Sequence, residues 1–514
     1  MTDLSSESWR VLLQWLEFNQ QELSSSLDVL DSLIADQIAE IDRKSTELVR
    51  VIIQHPKFKR LEASYLGIWH LLCSAIEGSA LLKEISSERE ISVHVLDVSS
   101  QEIKDDLLLS HYNSTNLYRK LFNERYDRLV ARNELQIENY SGIYPFSLIL
   151  VDFEFSYPSA RKPNQISLGV LQKFAQIGEA CFCMFLTGVA PQFFGDNINS
   201  FRDFDQIEDW EQLFSVPRFQ REWADFRSSE SSRMIGLAMP RVLRRLPYRK
   251  FPMGNSGFLF DEFDGHVESE KWCWGNGAFA VIQPYLRSYL QYGWFAHVSG
   301  VDRDSMHFLD SIEAPEKSYC AGLIEGTPHC TFNTDALGAA SFPPVEFQFS
   351  EKEEALLAKE GFISLFAINQ SSKIATLSSQ SVQAPKRMTS NQASNNFRLS
   401  TMFNYMLCVC RVAHLLMMQC RSKIGSLEGA ENLEHDIHGW LMDRSCGQNR
   451  PDIEKMRKPF LDDETSFEVT EDVLVPGRFN CLVSICPHHK FDGGNTKLIF
   501  EPITFEMQVN MESN

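Results

Sequence analysis

Leu27, Leu30, Ile34, Ile38, Ile41, Leu48 and Ile52 recur at three- and four-residue steps or their multiples, with acids and amides between them. Side chains three and four apart share one face of a helix. The spacing therefore predicts a helix from Leu27 that ends before Pro56 and carries a narrow stripe of nearly heptad character. Trp9, Leu12, Leu13 and Leu16 form a shorter amphipathic piece upstream. The stripe permits two readings: a helix hairpin packed on its own domain, or an arm that meets a partner helix.

From Ile91 the period shifts to alternation. Ile91–Val98 reads as a strand, Gln101–Ser110 and Leu117–Tyr126 as helices, and Phe146–Phe153 as a buried strand. Ile166–Ala180 reads as a helix, and Cys181–Val189 and Ile235–Met239 as strands. Phe279–Tyr292 and Glu351–Glu360 read as helices, and Trp294–Ser299, Val345–Phe349, Phe362–Ile368 and Lys373–Ser378 as strands. Strands alternating with helices predict an α/β layer around a mixed or parallel sheet. The polar, aperiodic stretch Gln383–Asn396 is the best boundary candidate. Beyond it, Phe397–Ser422 and Leu433–Arg444 read as helices and the rest as an antiparallel meander. Phe467, Val469, Val473 and Val475 alternate with polar residues, as do Phe479, Cys481, Val483 and Ile485 after a turn at Pro476-Gly477. Asp492-Gly493-Gly494 makes a second turn before Leu498, Ile499 and Phe500. Such a terminal strand is either capped in its own sheet or added to a neighbour's sheet edge. The expected organisation is a helical arm (1–75), an α/β body (76–390) and a C-terminal unit (391–514).

Composition narrows the function class. With 43% hydrophobic and 23% charged residues the chain has globular composition. Its net charge of −20 works against a nucleic-acid or anionic-lipid surface, since either needs a basic face. The twelve cysteines include no C-x-x-C pair. Cys181/Cys183 and Cys408/Cys410 sit two apart in apolar stretches and are expected to be reduced, buried thiols. The start, Met1-Thr2-Asp3-Leu4, has no basic segment followed by an apolar core. The apolar runs Ala180–Ala190 and Tyr405–Met418 are too short, or are broken by Arg411 and His414, to span a bilayer. A cytoplasmic location without membrane insertion is expected.

Catalytic signatures fail. The sequence has no phosphate-binding P-loop, no dinucleotide fingerprint and no nucleophile elbow. Met253–Gly257 and Trp274–Gly277 read as turns. His435 and His438 lie three apart beside Glu434 and Asp436 but lack a third ligand, and His488-His489 diverge at a strand end. Asp152 and Glu154 share one strand face, as an acid pair would. No catalytic residue, cofactor or metal is expected. One basic cluster stands out: Arg241, Arg244, Arg245, Arg249 and Lys250. It reads either as arginine forks on carboxylates within the subunit or as a contact to an acidic neighbouring subunit.

Several segments, taken in order, resemble one family. Gln54–Gly67 (Gln-His-Pro-Lys-Phe-Lys-Arg-Leu-Glu-Ala-Ser-Tyr-Leu-Gly) resembles the HHPxFQxLEAxWRGL stretch of the large subunit of the type VI secretion contractile sheath, the TssC/VipB/EvpB family. Ile149–Phe155 is similar to its LLGDFEF strand, Ala238–Tyr248 to LPRFLLRLPYG and Trp274–Phe279 to WGNAAYAF. Ser379–Lys386 resembles AQSLQKPKK. Arg398-Leu399-Ser400, Leu407–His414 and Lys423–Ser426 resemble RLS, LLCVSRFAHYLK and DKIGSF. Tyr65 and Leu66 stand where the family has tryptophan and arginine, and Arg249 replaces a glycine. Arg303–Cys320 is longer and more irregular than usual.

The resemblance implies a mixed α+β and α/β, phage tail-sheath-like multidomain subunit with an N-terminal helical arm and C-terminal antiparallel strands. It also implies a non-enzymatic role. Such a subunit pairs with a small sheath subunit (TssB/VipA-like), and the heterodimers stack with further copies into a helical polymer around inner-tube hexamers (Hcp-like). The polymer grows on an envelope-anchored baseplate and contracts, driving tube and spike into a target cell. An AAA+ unfoldase (ClpV-like) then strips it, mainly through the small subunit. On this reading the seven stripe residues from Leu27 to Ile52 face the small subunit. Phe479, Cys481, Val483, Ile485, Leu498, Ile499 and Phe500 serve strand exchange, and the basic cluster supplies charged contacts. The alternatives are a sheath protein of another contractile injection machine and a metal-dependent enzyme centred on His435 and His438.

Overall fold

Alternate side chains of a strand point to opposite faces of its sheet, and Met184–Val189 shows the consequence. Met184 and Leu186 enter one apolar layer and Phe185 and Val189 the other, as in a strand covered by helices on both sides. The computed structural model describes residues 27–81, 91–109, 111–123, 145–157, 162, 164–217, 219–248, 258, 260–263, 269–292, 295, 298–300, 322–328, 330–334, 338–368, 373–385, 401–422, 430–442, 466–471, 478–485 and 503–510. These form two units: one comprises residues 1–59 with 247–272, and the other 60–246 with 273–514.

In the first unit the main element is α1 (Leu27–Ile53). Its last turn and the residues that follow it are tied to residues 261, 262 and 271. Arg50 Nε donates to the Asp261 carbonyl at 2.8 Å, Gln54 Nε2 to Glu262 Oε1 at 2.5 Å, and Lys59 Nζ to the Lys271 carbonyl. On its surface Arg43 bridges Glu40 and Glu47 at 2.9 and 2.7 Å, one turn to either side.

The second unit takes over within α2 (Pro56–Leu81) and continues through α3 (Ser100–Leu108). Its sheet contains β1 (Leu148–Phe155), β2 (Gln165–Ile166), β3 (Met184–Val189), β4 (Ile235–Met239), β7 (Leu323–Ile324), β10 (Ile363–Ala367) and β11 (Ile374–Thr376). The order is β2-β1-β3-β4-β10-β11-β7. The first five strands are parallel and β11 runs antiparallel to both its neighbours. α5 (Ala278–Tyr292) and α7 (Phe403–Ser422) cover one face. α3, α4 (Leu168–Cys181), α6 (Glu351–Lys359) and a dense aromatic cluster cover the other. Capping boxes start α3 and α6, where Ser99 and Ser350 exchange bonds with Glu102 and Glu353. Two small antiparallel pairs complete the body: β5 (Val242–Arg245) with β6 (Cys273–Gly275), and β8 (Cys330–Thr334) with β9 (Gly338–Phe342). After α8 (Ala430–Met442), an antiparallel sheet β12-β13-β14 (Ser466–Glu471, Arg478–Ile485, Ile503–Asn510) ends the described chain.

Most expected elements are present, and the departures have physical causes. Ile91–Val98 is not a strand: it carries the residues for one but pairs with no described strand. Val345–Phe349 makes only an isolated bridge, Val345 to Val242, because β5 turns away to pair with β6. No strand forms at the described positions of Trp294–Ser299, namely 295 and 298–299. Trp274-Gly275, expected in a turn, belongs to β6. The third meander strand is Ile503–Asn510, while Leu498, Ile499 and Phe500 lie outside the described residues, as do Trp9–Leu16. Among the described residues, no helix is long and apolar enough to cross a membrane.

Candidate partner-binding surface

α2 has two apolar faces, and the described residues cover only one. Ala63, Gly67 and Leu71, four residues apart, are buried. A Cβ on Gly67 would stand 2.9 Å from the Phe279 ring, so only glycine lets the helix lie this close to α5. Two polar ties fix its rotation. Glu62 receives a bidentate fork from Arg245 of β5, at 2.6 and 3.0 Å, and Ser64 bonds Asp152 of β1. Turned this way, α2 leaves Leu61, Tyr65, Trp69 and Leu72 exposed, at steps of four, four and three residues. Sequence reasoning used this stretch only for its family resemblance; the same three-and-four spacing that marks α1 was the signal for a stripe.

On α1, Ile34, Ile38, Ile41, Leu48 and Ile52 are between 37% and 68% exposed. Leu27 and Leu30 lie on the same helix. A run of large apolar side chains left in solvent is the mark of an interaction surface.

The basic cluster is built inward. Arg241 forks onto Glu154 at 2.5 and 2.8 Å and reaches Glu346 at 3.4 Å, with Ser200 donating to the other Glu346 oxygen at 2.8 Å. Burial opposes its charge, but Glu154 and Glu346 together hold the guanidinium well above its usual range. Arg244, 2% exposed, donates to the Asn276 carbonyl at 2.5 Å and lies over the Phe279 ring. Burial lowers its pKa to about 10, with Asp152 and Cys273 pulling the other way. Gly275 makes room for this side chain, since a Cβ there would lie 2.5 Å from Arg244 Nε. Arg249 and Lys250 lie outside the described residues. Three of the five cations are thus committed within the chain.

The acid pair is divided between two partners. Glu154 belongs to Arg241, whereas Asp152 sits between Ser64 and Arg244, with burial raising its pKa to about 6. Asn276 Nδ2 meets the Val151 and Phe153 carbonyls at 3.3 Å each, where the β1–β3 register slips. The cleft chemistry of two free carboxylates is absent from this arrangement. His435 and His438 are exposed on α8, and no group of three or more ligand-type residues comes together among the described residues.

The residues assigned to strand exchange at Phe479, Cys481, Val483 and Ile485 lie on β13. It pairs with β12 on one side and β14 on the other. A strand paired on both sides has no free edge, so the edges of this sheet among the described residues are β12 and β14.

Known proteins fit these features. Residues 35–383 match the family described as EvpB/VC_A0108, tail sheath N-terminal domain, and residues 392–501 match EvpB/VC_A0108, tail sheath gpW/gp25-like domain. The chain belongs to the EvpB tail-sheath family. The type VI secretion system sheath protein TssC1 of Pseudomonas aeruginosa is 27% identical over 461 residues, covering 89% of this chain and 82% of that protein. Among solved structures, sheath tail proteins of Desulfitobacterium hafniense and Listeria innocua each align at 10% identity with a TM-score of 0.31. Those alignments cover 76% and 70% of this chain, and less than two thirds of each solved chain, 60% and 57%. Family membership makes this chain a structural sheath component with a mixed α+β fold.

Proposed function

We propose that this chain is the large subunit of a type VI secretion contractile sheath. It pairs with a small sheath subunit, and the pairs polymerise around an inner tube and contract to propel tube and spike into a target cell. The work comes from the difference in packing free energy between extended and contracted polymer, so the chain itself needs no catalytic centre. The other assigned contacts are baseplate, inner-tube hexamers and, through the small subunit, an unfoldase, all in the bacterial cytoplasm.

The observation that carries this reading is the exposed stripe of α1, whose heptad-like spacing suits a helix of the small subunit. A net charge of −20 per chain adds a condition: polymer interfaces must match charges, and assembly is salt-sensitive.

The test is co-expression with the adjacent small-subunit gene, followed by co-purification and negative-stain imaging. Sheath tubules are expected. Ile34→Asp with Ile41→Asp lowers small-subunit capture about tenfold or more, because charges replace two apolar anchors. Unchanged capture removes α1 from the interface, and failure of the wild-type chain to capture any small subunit refutes the proposal.

A further inference from the structure

The two matched family regions, residues 35–383 and 392–501, meet at a stretch whose sequence reads as a linker. Four of the five residues Ser379–Gln383 are polar, and polar connections between domains ordinarily run over the surface. Here all five are buried, Ser381 and Val382 completely. Burying polar groups is costly unless they are hydrogen-bonded, and this segment is bonded on both sides.

One side holds the start of α7. Ser381 N donates to the Thr401 carbonyl at 3.1 Å, Phe403 N to the Ser379 carbonyl at 2.9 Å, and Gln380 Nε2 to Thr401 Oγ1 at 2.7 Å. The other side holds the body. Val382 N donates to the carbonyl of Ile235, the first residue of β4, at 3.0 Å, and Ala384 N to the Arg227 carbonyl at 2.9 Å. Arg227, on the short helix Ala224–Ser228, draws three segments together. Its Nε donates to the Val382 carbonyl at 3.1 Å, Nη2 to the Lys359 carbonyl at 2.8 Å and Nη1 to Glu360 Oε2 at 2.5 Å. Gly361, at φ +88°, completes the fit, since a Cβ there would stand 3.0 Å from Val382.

α7 lies beyond the boundary between the two family regions, yet it is part of the body's core. Phe403, Leu407 and Cys410 are buried in the same apolar layer as α5, and a Cβ on Gly236 of β4 would stand 2.7 Å from the Phe403 ring. Farther on, α7 packs on α8 and β14, and α8 packs on β12. The C-terminal sheet is therefore joined to the central sheet through α7 and the buried segment that fastens its first turn.

We infer that residues 379–384 form a load-bearing clasp, keyed by Arg227, that delivers a pull on the C-terminal sheet to the central sheet through a closed joint instead of a slack linker. The clasp itself stands on these bonds; that a load arrives there rests on the sheath reading.

Hydrogen–deuterium exchange on the full chain alone tests the clasp. In the unaltered chain the amides of Ser381, Val382, Ala384 and Phe403 exchange as slowly as those of β3; rates about a hundredfold faster than β3 would show a loose linker and overturn the inference. In Arg227→Gln these four amides speed up about a hundredfold while β3 changes less than about threefold. Equal acceleration of β3 makes Arg227 a general stabiliser, and no acceleration removes it as the key; either result overturns the assignment. Co-expression with the small subunit then tests the load. Arg227→Gln captures the small subunit as well as the unaltered chain does but yields few or no ordered tubules. Normal tubules from this variant overturn the load-bearing role. Failure of the unaltered chain to capture any small subunit overturns the sheath reading and the load with it, whereas the exchange result decides the clasp separately.

Discussion

Strand β3 and helix α1 are both rich in apolar residues and end in opposite surroundings. All six residues of β3 are buried, with Phe185 stacked on Phe174 of α4 at 4.9 Å. α1 carries its isoleucines at regular helical spacing, and the described residues leave them in solvent. An apolar pattern states that a face is to be covered. What covers it, the same chain or another one, depends on whether the rest of the chain reaches that face.

The sharpest way to break this comparison is in the core. Phe193 lies 5.1 to 5.5 Å from the rings of Phe155, Phe219, Trp223 and Phe362. Phe193→Ala is expected to cost about 3–5 kcal/mol in urea unfolding of the lone chain. A loss below about 1 kcal/mol would place Phe193 outside a well-packed core.

The next effect is polar and depends on pH. The folded pKa of Asp152, about 6, lies above its ordinary value of 3.8, so the folded chain binds this proton more tightly than the unfolded one. Its contribution to stability therefore rises as pH falls from about 6 to about 4, and the buried charge costs on the order of 2–3 kcal/mol at neutral pH. His414 runs the other way. Burial lowers its pKa to about 4 from 6.5, so its contribution is lost as pH falls through the same window. The readout is thus a difference: Asp152→Asn gains stability over wild type above pH 6, and the gain disappears by pH 4. Parallel curves would remove Asp152 from its buried setting.

The smallest effect is the most telling. Ile38→Ala is expected to change the lone chain's stability by no more than about 0.5 kcal/mol, because Ile38 has little to lose there. A loss on the scale of Phe193→Ala would show that the stripe packs within its own chain.

Much of the architecture was legible because it rests on local periodicity. Ile235–Met239 is a strand with the expected boundaries, and α1 carries the stripe and ends at Ile53, before Pro56, as expected. The failures came where a partner segment decides the outcome. Val345–Phe349 and Ile91–Val98 have strand residues, but a ladder needs a second backbone at the right distance, which alternation cannot supply. The candidate surface divides similarly. The α1 stripe was visible, whereas the exposure of Leu61, Tyr65, Trp69 and Leu72 depends on contacts that set the rotation of α2: Glu62 with Arg245, Ser64 with Asp152, and Gly67 against Phe279.

The sequence by itself determined that this is an acidic, mixed α and β sheath-family chain, with an amphipathic helix at one end and a β-meander at the other. Those properties follow from composition, from the repeat of apolar positions and from ordered motifs, all of which survive without a third dimension. Only the tertiary structure decided that Arg241, Arg244 and Arg245 turn inward, that β13 is central rather than an edge, and that residues 91–98 stand without a ladder. Each of these depends on which distant segment arrives alongside, and distance along the chain does not encode distance in space.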